Sequence, residues 1–275
     1  MDYAVYENQM KRLFLLLLLL QGAILCAQDF RAELTAIYKL DASLMVGIDD
    51  FNNIYYITDN ILYKKTPQKL FSYSNVELGK LSRVNIHNPF KIILFYADFN
   101  SAIILDNNLN ELSQQLDFTK ETLVNNVLFV TAASQNNIWL FADDNKLHLY
   151  DYQLLRETLQ TQPITFYDPG FEAENLISNF KNTWIHTADG VLEFNEYGIY
   201  IKAYDIKEAE QLFPYQKGFV FLKEGSFFYN DQKQVYTIDL DHETVSKSIY
   251  INSSSIFIFD GEQVFEYQIK RWNFH

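Results

Sequence analysis

Six short apolar stretches of this 275-residue chain each run into an acidic turn, and they recur at nearly even intervals. They are Asn53–Asn60 (NIYYITDN), Lys91–Asn100 (KIILFYADFN), Asn137–Asn145 (NIWLFADDN), Asn182–Gly190 (NTWIHTADG), Gly218–Gly225 (GFVFLKEG) and Ser255–Gly261 (SIFIFDG). The acidic residues Asp59, Asp98, Asp143, Asp189, Glu224 and Asp260 are 39, 45, 46, 35 and 36 residues apart. Short strands repeating at about 40 residues predict an all-β chain folded as a β-propeller. A β-sandwich also has many short strands, but it does not sustain such a period. The helix-friendly stretches Lys207–Leu212 and Phe171–Leu176 are too short to compete.

Each repeat expands into four strand candidates separated by polar turns, which are hairpin signals. In the third they are Val127–Ala133, Asn137–Ala142, Lys146–Tyr150 and Arg156–Pro163. In the second they are Leu81–Ile86, Lys91–Ala97, Ala102–Leu105 and Glu111–Phe118. The sixth offers Lys247–Ile251, Ser255–Phe259 and Gln263–Ile269 but no fourth strand. Arg31–Tyr38 (RAELTAIY) is strand-like and precedes the first repeat. It is expected to complete the sixth, closing a six-bladed ring and removing two open sheet edges.

The front of the chain reads as an address. Met10 is followed by Lys11-Arg12, the apolar run Leu13–Leu20 and then Gln21–Ala27, the order of a secretory signal peptide. Cleavage is expected after Ala27, leaving residues 28–275 as a single domain; residues 1–9 carry no signal character and are either a mis-assigned start or a long n-region. The apolar run is short for a span, which needs about 20 residues. Cys26 is the only cysteine. Lipidation there is disfavoured, because Leu25 is not the small residue a lipoprotein site wants. A chain cut beyond Cys26 has no disulfide, zinc-thiolate site or cysteine nucleophile.

Charge narrows the partners. The chain has 22 basic and 35 acidic residues, net −13, and removing residues 1–27 leaves that balance unchanged. Nucleic acid needs a positive track, and an anionic membrane repels such a surface. A basic protein partner, a cation or an uncharged ligand fits better. Aromatics make up 16% of residues, which half-buried strands account for, and the scarcity of glycine leaves Asn and Asp to make the turns.

Asn137–Asp151 (NIWLFADDNKLHLYD) and Asn182–Asn195 (NTWIHTADGVLEFN) resemble the repeats of two-component-regulator propellers. Asn53–Asn60 is similar to the NHL-type repeat, and its Tyr56-Ile57-Thr58-Asp59 is one residue off YWTD. No Trp-Asp dipeptide occurs, so the chain does not resemble WD40 repeats. With its Ala27-Gln28 junction, the whole looks like an exported propeller of the bacterial envelope. Six-bladed lactonases, an analogy of fold, hold calcium near the axis with Glu, Asn and Asp. Asn85, Asn125, Asn126, Asn179 and Asn252 are the amides available, but acidic residues are sparse in the expected inner strands.

Propeller topology would put the six acidic turn residues in a ring on one face, beside the connections between blades. The longest connection, Thr161–Asn175, carries Phe166, Tyr167, Asp168, Phe171, Glu172 and Glu174 and is the expected partner contact. His87, His148, His186, His242 and His275 show no metal-ligand spacing and are expected to be structural. Neither a nucleophile elbow nor a phosphate-binding loop appears, so no catalytic set, metal or cofactor is expected. The reading is a monomeric, non-catalytic scaffold for protein partners in the envelope. The alternatives are a calcium-dependent hydrolase-type propeller and a glycan-binding module.

Overall fold

The computed structural model describes residues 30–122, 124–170, 172–179, 181–242 and 246–271. The expected signal segment with Cys26, and the site candidates Phe171 and His275, lie outside them.

The chain opens with strand β1 (Phe30–Lys39). The first four-stranded sheet is β2 (Leu44–Ile48), β3 (Ile54–Thr58), β4 (Ile61–Lys65) and β5 (Leu70–Tyr73). The second is β6 (Arg83–Asn85), β7 (Ile92–Tyr96), β8 (Ser101–Leu105) and β9 (Leu116–Asp117). The third is β10 (Val127–Ala132), β11 (Asn137–Ala142), β12 (Leu147–Asp151) and β13 (Arg156–Gln160). The fourth is β14 (Ala173–Ser178), β15 (Asn182–Thr187), β16 (Gly190–Asn195) and β17 (Tyr200–Tyr204). Then come β18 (Gln211–Tyr215), β19 (Gly218–Lys223), β20 (Ser226–Asn230), β21 (Val235–Leu240), β22 (Ser248–Ile251), β23 (Ser255–Phe259) and β24 (Gln263–Arg271). These join β1 in one eight-stranded sheet, ordered β18-β19-β20-β21-β1-β24-β23-β22.

Burial explains the apolar runs. Every residue of β7 (IILFY) and β23 (SIFIF) is buried, because each strand is covered by packing on both faces. The fourth strands β13 and β21 alternate exposed and covered residues, since one of their faces meets water. The core lies in layers between successive sheets. Ile93, Phe95, Ala102 and Ile104 pack on Val130, Ala132, Ile138 and Leu140, for example. The circuit returns on itself where Leu40, Met45 and Ile48 pack on Phe257, Phe259 and Val264.

The N-terminal strand lies where Arg31–Tyr38 was expected. β1 is antiparallel to β24 from Phe30↔Arg271 to Lys39↔Gln263, with an irregularity between Leu34 and Ala36. Lys270 and Glu33 form an ion pair across it. The repeat pattern did not foreshadow a second pairing. β1 also runs parallel to β21 through Phe30↔Ile238, Arg31↔Asp239 and Ala32↔Leu240. Phe30 anchors it there, with its ring edge-on to Tyr229 at 5.0 Å and Tyr236 at 5.3 Å.

One expected strand is mostly absent. Glu111–Phe118 pairs only through a Leu105–Glu111 bridge and the two residues of β9. Ser113-Gln114-Gln115 offers no apolar alternation, so only Leu116 and Phe118 are drawn into the core. The Asp117 carboxylate then accepts from Thr119 N at 3.2 Å and caps a single helical turn, Phe118–Glu121.

The turn between the second and third strands of each unit is bonded to the connection between units. Asn60 accepts from Leu81 N (2.7 Å), Asn100 from Val127 N (2.9 Å), and the Asn145 carbonyl from Ile164 N (2.7 Å). Glu208 N donates to the Ala188 carbonyl (2.8 Å), Glu224 N to the Glu210 carboxylate (2.8 Å), and Leu40 N to the Glu262 carbonyl (3.0 Å). The acidic turns and the connections therefore share one face.

Candidate functional site: an axial cavity

The first strand of each unit is the innermost one, and together these strands surround a cavity of about 1340 Å³. On one side the inner strands are tied by polar side chains. Asn85 Nδ2 donates to Thr131 Oγ1 (2.8 Å), which is 2.9 Å from Ser178 Oγ, and Ser178 also donates to the Ala132 carbonyl. The Arg83 guanidinium donates to Asn175 Oδ1 (3.1 Å) and lies 4.6 Å from the centre of the Phe129 ring. Behind this belt, buried Lys91 donates to the carbonyls of Gln135 (2.9 Å), Asn137 (2.8 Å) and Ala133. Burial pulls its ammonium down to about 8.

The other side is finished differently. Strand alternation puts Asn182, Trp184 and His186 of β15 on one face. Trp184 pairs with Glu193 and His186 with Val191 of β16, and Val191 pairs with Tyr204 of β17. That face looks toward β18 and β19: the Phe219 ring is edge-on to Trp184 at 5.7 Å and to Tyr204 at 4.9 Å. Gly190 lets β17 close in, since a Cβ there would lie 2.3 Å from the Tyr204 carbonyl oxygen. The buried Glu193 carboxylate accepts from Asn182 Nδ2 (2.6 Å) and from the Tyr204 hydroxyl. Burial first, then the Glu193 bond, push the Tyr204 phenol well above its ordinary range.

The Trp184 indole N–H is directed at the Tyr204 hydroxyl, which tempers the rise in that phenol, while His186 Nε2 is buried with no partner among the described residues. Trp184 and His186 line the cavity, with Glu193, Tyr204 and Glu174. Burial holds the His186 imidazole below its usual range, while Glu174, 3.8 Å from Nδ1, offsets part of that effect. Ser248 Oγ on β22, another lining residue, is likewise buried with no partner among the described residues.

The acidic turn residues lie elsewhere. Asp59, Asp98, Asp143, Asp189 and Glu224 are exposed and Asp260 is half-buried; all six sit in turns on the shared face, and none lines the cavity. Asp260 shapes its own turn by accepting from Glu262 N (2.8 Å) and Gln263 N (2.7 Å), which holds its carboxyl low.

The long connection divides in two. Ile164 is fully buried, and Tyr167 stacks on Tyr200 at 4.6 Å and meets Phe194 edge-on at 5.8 Å. Phe166 is 76% exposed, Asp168 is half-buried and Glu172 is exposed. Glu174 belongs to β14 rather than to the loop, which places it at the cavity.

His148 is held by Glu157 (2.7 Å) and Asp144 (3.0 Å), and His242 stacks on Phe265. His87 lines the cavity, and burial lowers its basicity. Among the described residues no three His, Cys, Asp or Glu side chains gather as a metal site would require. Asn85, Asn179 and Asn252 do line the cavity, but Asn179 and Asn252 spend their side-chain oxygens on their own turns. Asn125 and Asn126 do not line it. The residues sequence reading missed are Trp184, Glu193 and Tyr204. Alternating polar residues within otherwise apolar strands β15 and β16 were the available signal.

No protein-family model matches this sequence, and no curated protein matches it either. Solved structures do. Virginiamycin B lyase from Staphylococcus aureus superposes with a TM-score of 0.55 at 8% identity, over 87% of this chain and 99% of that one. The Pan2 WD40 domain of Neurospora crassa gives 0.54 at 10%, over 82% and 74%. The BBS1 domain solved in complex with ARL6 gives 0.53 at 10%, over 82% and 78%. The fold is that of the β-propellers. Among the described residues no helix is long and apolar enough to cross a membrane.

Proposed function

We propose that the protein is an exported, non-catalytic, six-bladed β-propeller that binds protein partners in the bacterial envelope, with residues 28–275 as its single domain. The six-blade reading takes the eight-stranded sheet as two blades, β18–β21 and β22–β24 with β1, joined edge to edge by the β1–β21 pairing. The signal-like residues 1–27 and the likeness to envelope propellers support export. The contact surface is the face that carries the acidic turns and the Thr161–Gly170 segment.

Phe166 is the observation that carries this reading. Its ring stands in water on a loop fixed from beneath by Ile164 and Tyr167, so its exposure is not a product of slack chain. An exposed aromatic ring on an ordered support has the character of an interface anchor. Asp168 and Glu172 nearby in the chain, with the net charge of −13, favour a partner that is apolar at its centre and basic at its rim. The BBS1 domain, with a similar fold, was solved bound to a protein. The test is a quantitative pull-down from envelope extracts with the natural protein and Phe166→Ser. The variant is expected to keep its melting temperature and recover about tenfold less of a defined basic partner. Equal recovery would remove the loop from the account.

A further inference from the structure

We propose that a groove between the first and second sheets, on the face opposite the acidic turns, docks an acidic peptide segment that lays an apolar side chain against Phe51 and Phe90 and sets a carboxylate beside Lys69. Phe166 lies on the other face, and the proposal does not depend on the partner surface described above.

The groove encloses about 420 Å³. Phe51 stands in the turn between β2 and β3, and Phe90 in the turn between β6 and β7. Gln68 and Lys69 lie between β4 and β5, and Asn108 follows β8. Successive hairpin turns alternate between the two ends of an antiparallel sheet, so all of these sit at the end away from the acidic turns. Phe51 and Phe90 are each 59% exposed, and their rings meet edge-on at 6.1 Å. Apolar residues exposed singly are ordinary, but two that touch across separate sheets form a patch.

Neither ring hangs on slack chain. The Asp49 carboxylate accepts from Phe51 N and Asn53 N, both at 2.9 Å, and lies 3.9 Å from buried Lys64. Asn88 Oδ1 accepts from Phe90 N (3.0 Å), and the Asn88 carbonyl accepts from the N–H of Lys91 (2.9 Å), whose ammonium ties the second sheet to the third. Each phenyl ring therefore stands on a turn anchored beside a buried lysine. Such preorganisation lowers the entropy cost of docking.

Charge selects the occupant. In a chain of net charge −13, no carboxylate lines this groove. Lys69 is exposed at its edge, 4.3 Å from the centre of the Phe71 ring, and among the described residues no carboxylate pairs with it. The neighbouring acids are turned elsewhere: Asp49 into its own turn, Asp50 to the axial cavity, and Asp106 onto Asn108 N (2.7 Å) and Asn110 N (2.9 Å). Lys64 is 1% exposed and already donates to the Asn107 carbonyl (2.9 Å), so Lys69 is the cation left to meet a charge. A carboxylate suits it and a basic segment does not. Nucleic acid needs a run of cations, which a single exposed lysine does not supply. Two edge-on rings leave a notch for a side chain rather than the flat platform on which a sugar ring stacks. The side-chain amides of Gln68 and Asn108 on the groove wall can donate to and accept from a peptide backbone.

The test is selection of a displayed library of random decapeptides on the whole protein, followed by fluorescence anisotropy with the enriched peptides. These should share an Asp or Glu beside an aromatic or aliphatic residue. Phe90→Ser should weaken them about tenfold. Lys69→Gln should weaken them about threefold and flatten the dependence on salt. Phe166→Ser should leave them unchanged, which separates this groove from the surface on the other face. Melting temperatures establish that the variants fold, and should Phe90→Ser melt early, Phe51→Ser and Lys69→Gln decide. Failure to enrich any peptide, enrichment of basic peptides, or equal binding by the natural protein and the groove variants would overturn the proposal. So would saturable binding of maltose that Phe90→Ser abolishes, which would assign the groove to a saccharide.

Discussion

Three seams of this ring bury polar side chains: a lysine ties two of them across, and at the third the polar groups bond within one sheet. Where the second sheet meets the third, Lys91 reaches across and spends its ammonium on three backbone carbonyls of the β10–β11 turn. Between the first and second sheets, Lys64 does much the same. It donates to Asn107 and lies 3.9 Å from Asp49, whose carboxylate also accepts from Asn53 and Tyr55. At the face of the fourth sheet the polar groups are equally buried but bond among themselves: Trp184 is directed at the Tyr204 hydroxyl, and Tyr204 and Asn182 donate to Glu193. Buried groups paired across a seam hold two sheets together, whereas those paired within one sheet fix only its own face.

The largest effect that could break this comparison is at Lys91. Lys91→Met removes the ammonium and leaves three carbonyls short of a donor, and a loss of about 3 kcal/mol is expected in chemical denaturation. A loss no greater than that of Trp184→Phe would show that the two seams do not differ. Next comes Tyr204→Phe. It takes one donor from the Glu193 carboxylate but leaves Asn182 in place, so about 2 kcal/mol should be lost. A neutral result would mean that the Tyr204 bond does not hold the Glu193 carboxylate.

The smallest effect concerns pH. Burial keeps His186 below its ordinary range when folded. As pH falls through about 6.5 the unfolded chain therefore takes the proton first. The contribution of His186 to stability is complete above that pH and is lost on acidification. His186→Gln should flatten the fall in denaturation midpoint between about pH 7 and pH 5. His87, lowered by the same cause, retains the remaining slope. An unchanged slope would contradict the burial of a neutral imidazole in the seam.

The sequence made the scaffold legible because its strands are coded locally. Runs such as IILFY and SIFIF have to be covered on both faces, and the Asp- and Asn-rich turns between them set the hairpins. The pairing of Arg31–Tyr38 with the last strand followed from counting strands, and β1 lies there. The parallel β1–β21 contact was hidden, because nothing in either strand distinguishes one edge neighbour from another. The acidic turns were legible as turns, and they proved to be on the face rather than at the cavity. The polar cluster of the fourth sheet was not legible. Its members come from three strands, and His186 looks like any polar residue in an alternating strand until Val191 and Tyr204 are set beside it. Glu174 was read as part of a loop, since no local signal marks where β14 begins.

The account stands on Phe166 as the anchor of a partner surface. Recovery of a defined partner from envelope extracts by the natural protein and by Phe166→Ser tests it most directly. The account predicts an unchanged melting temperature and about tenfold less partner with the variant. Equal recovery by a stably folded variant would contradict it.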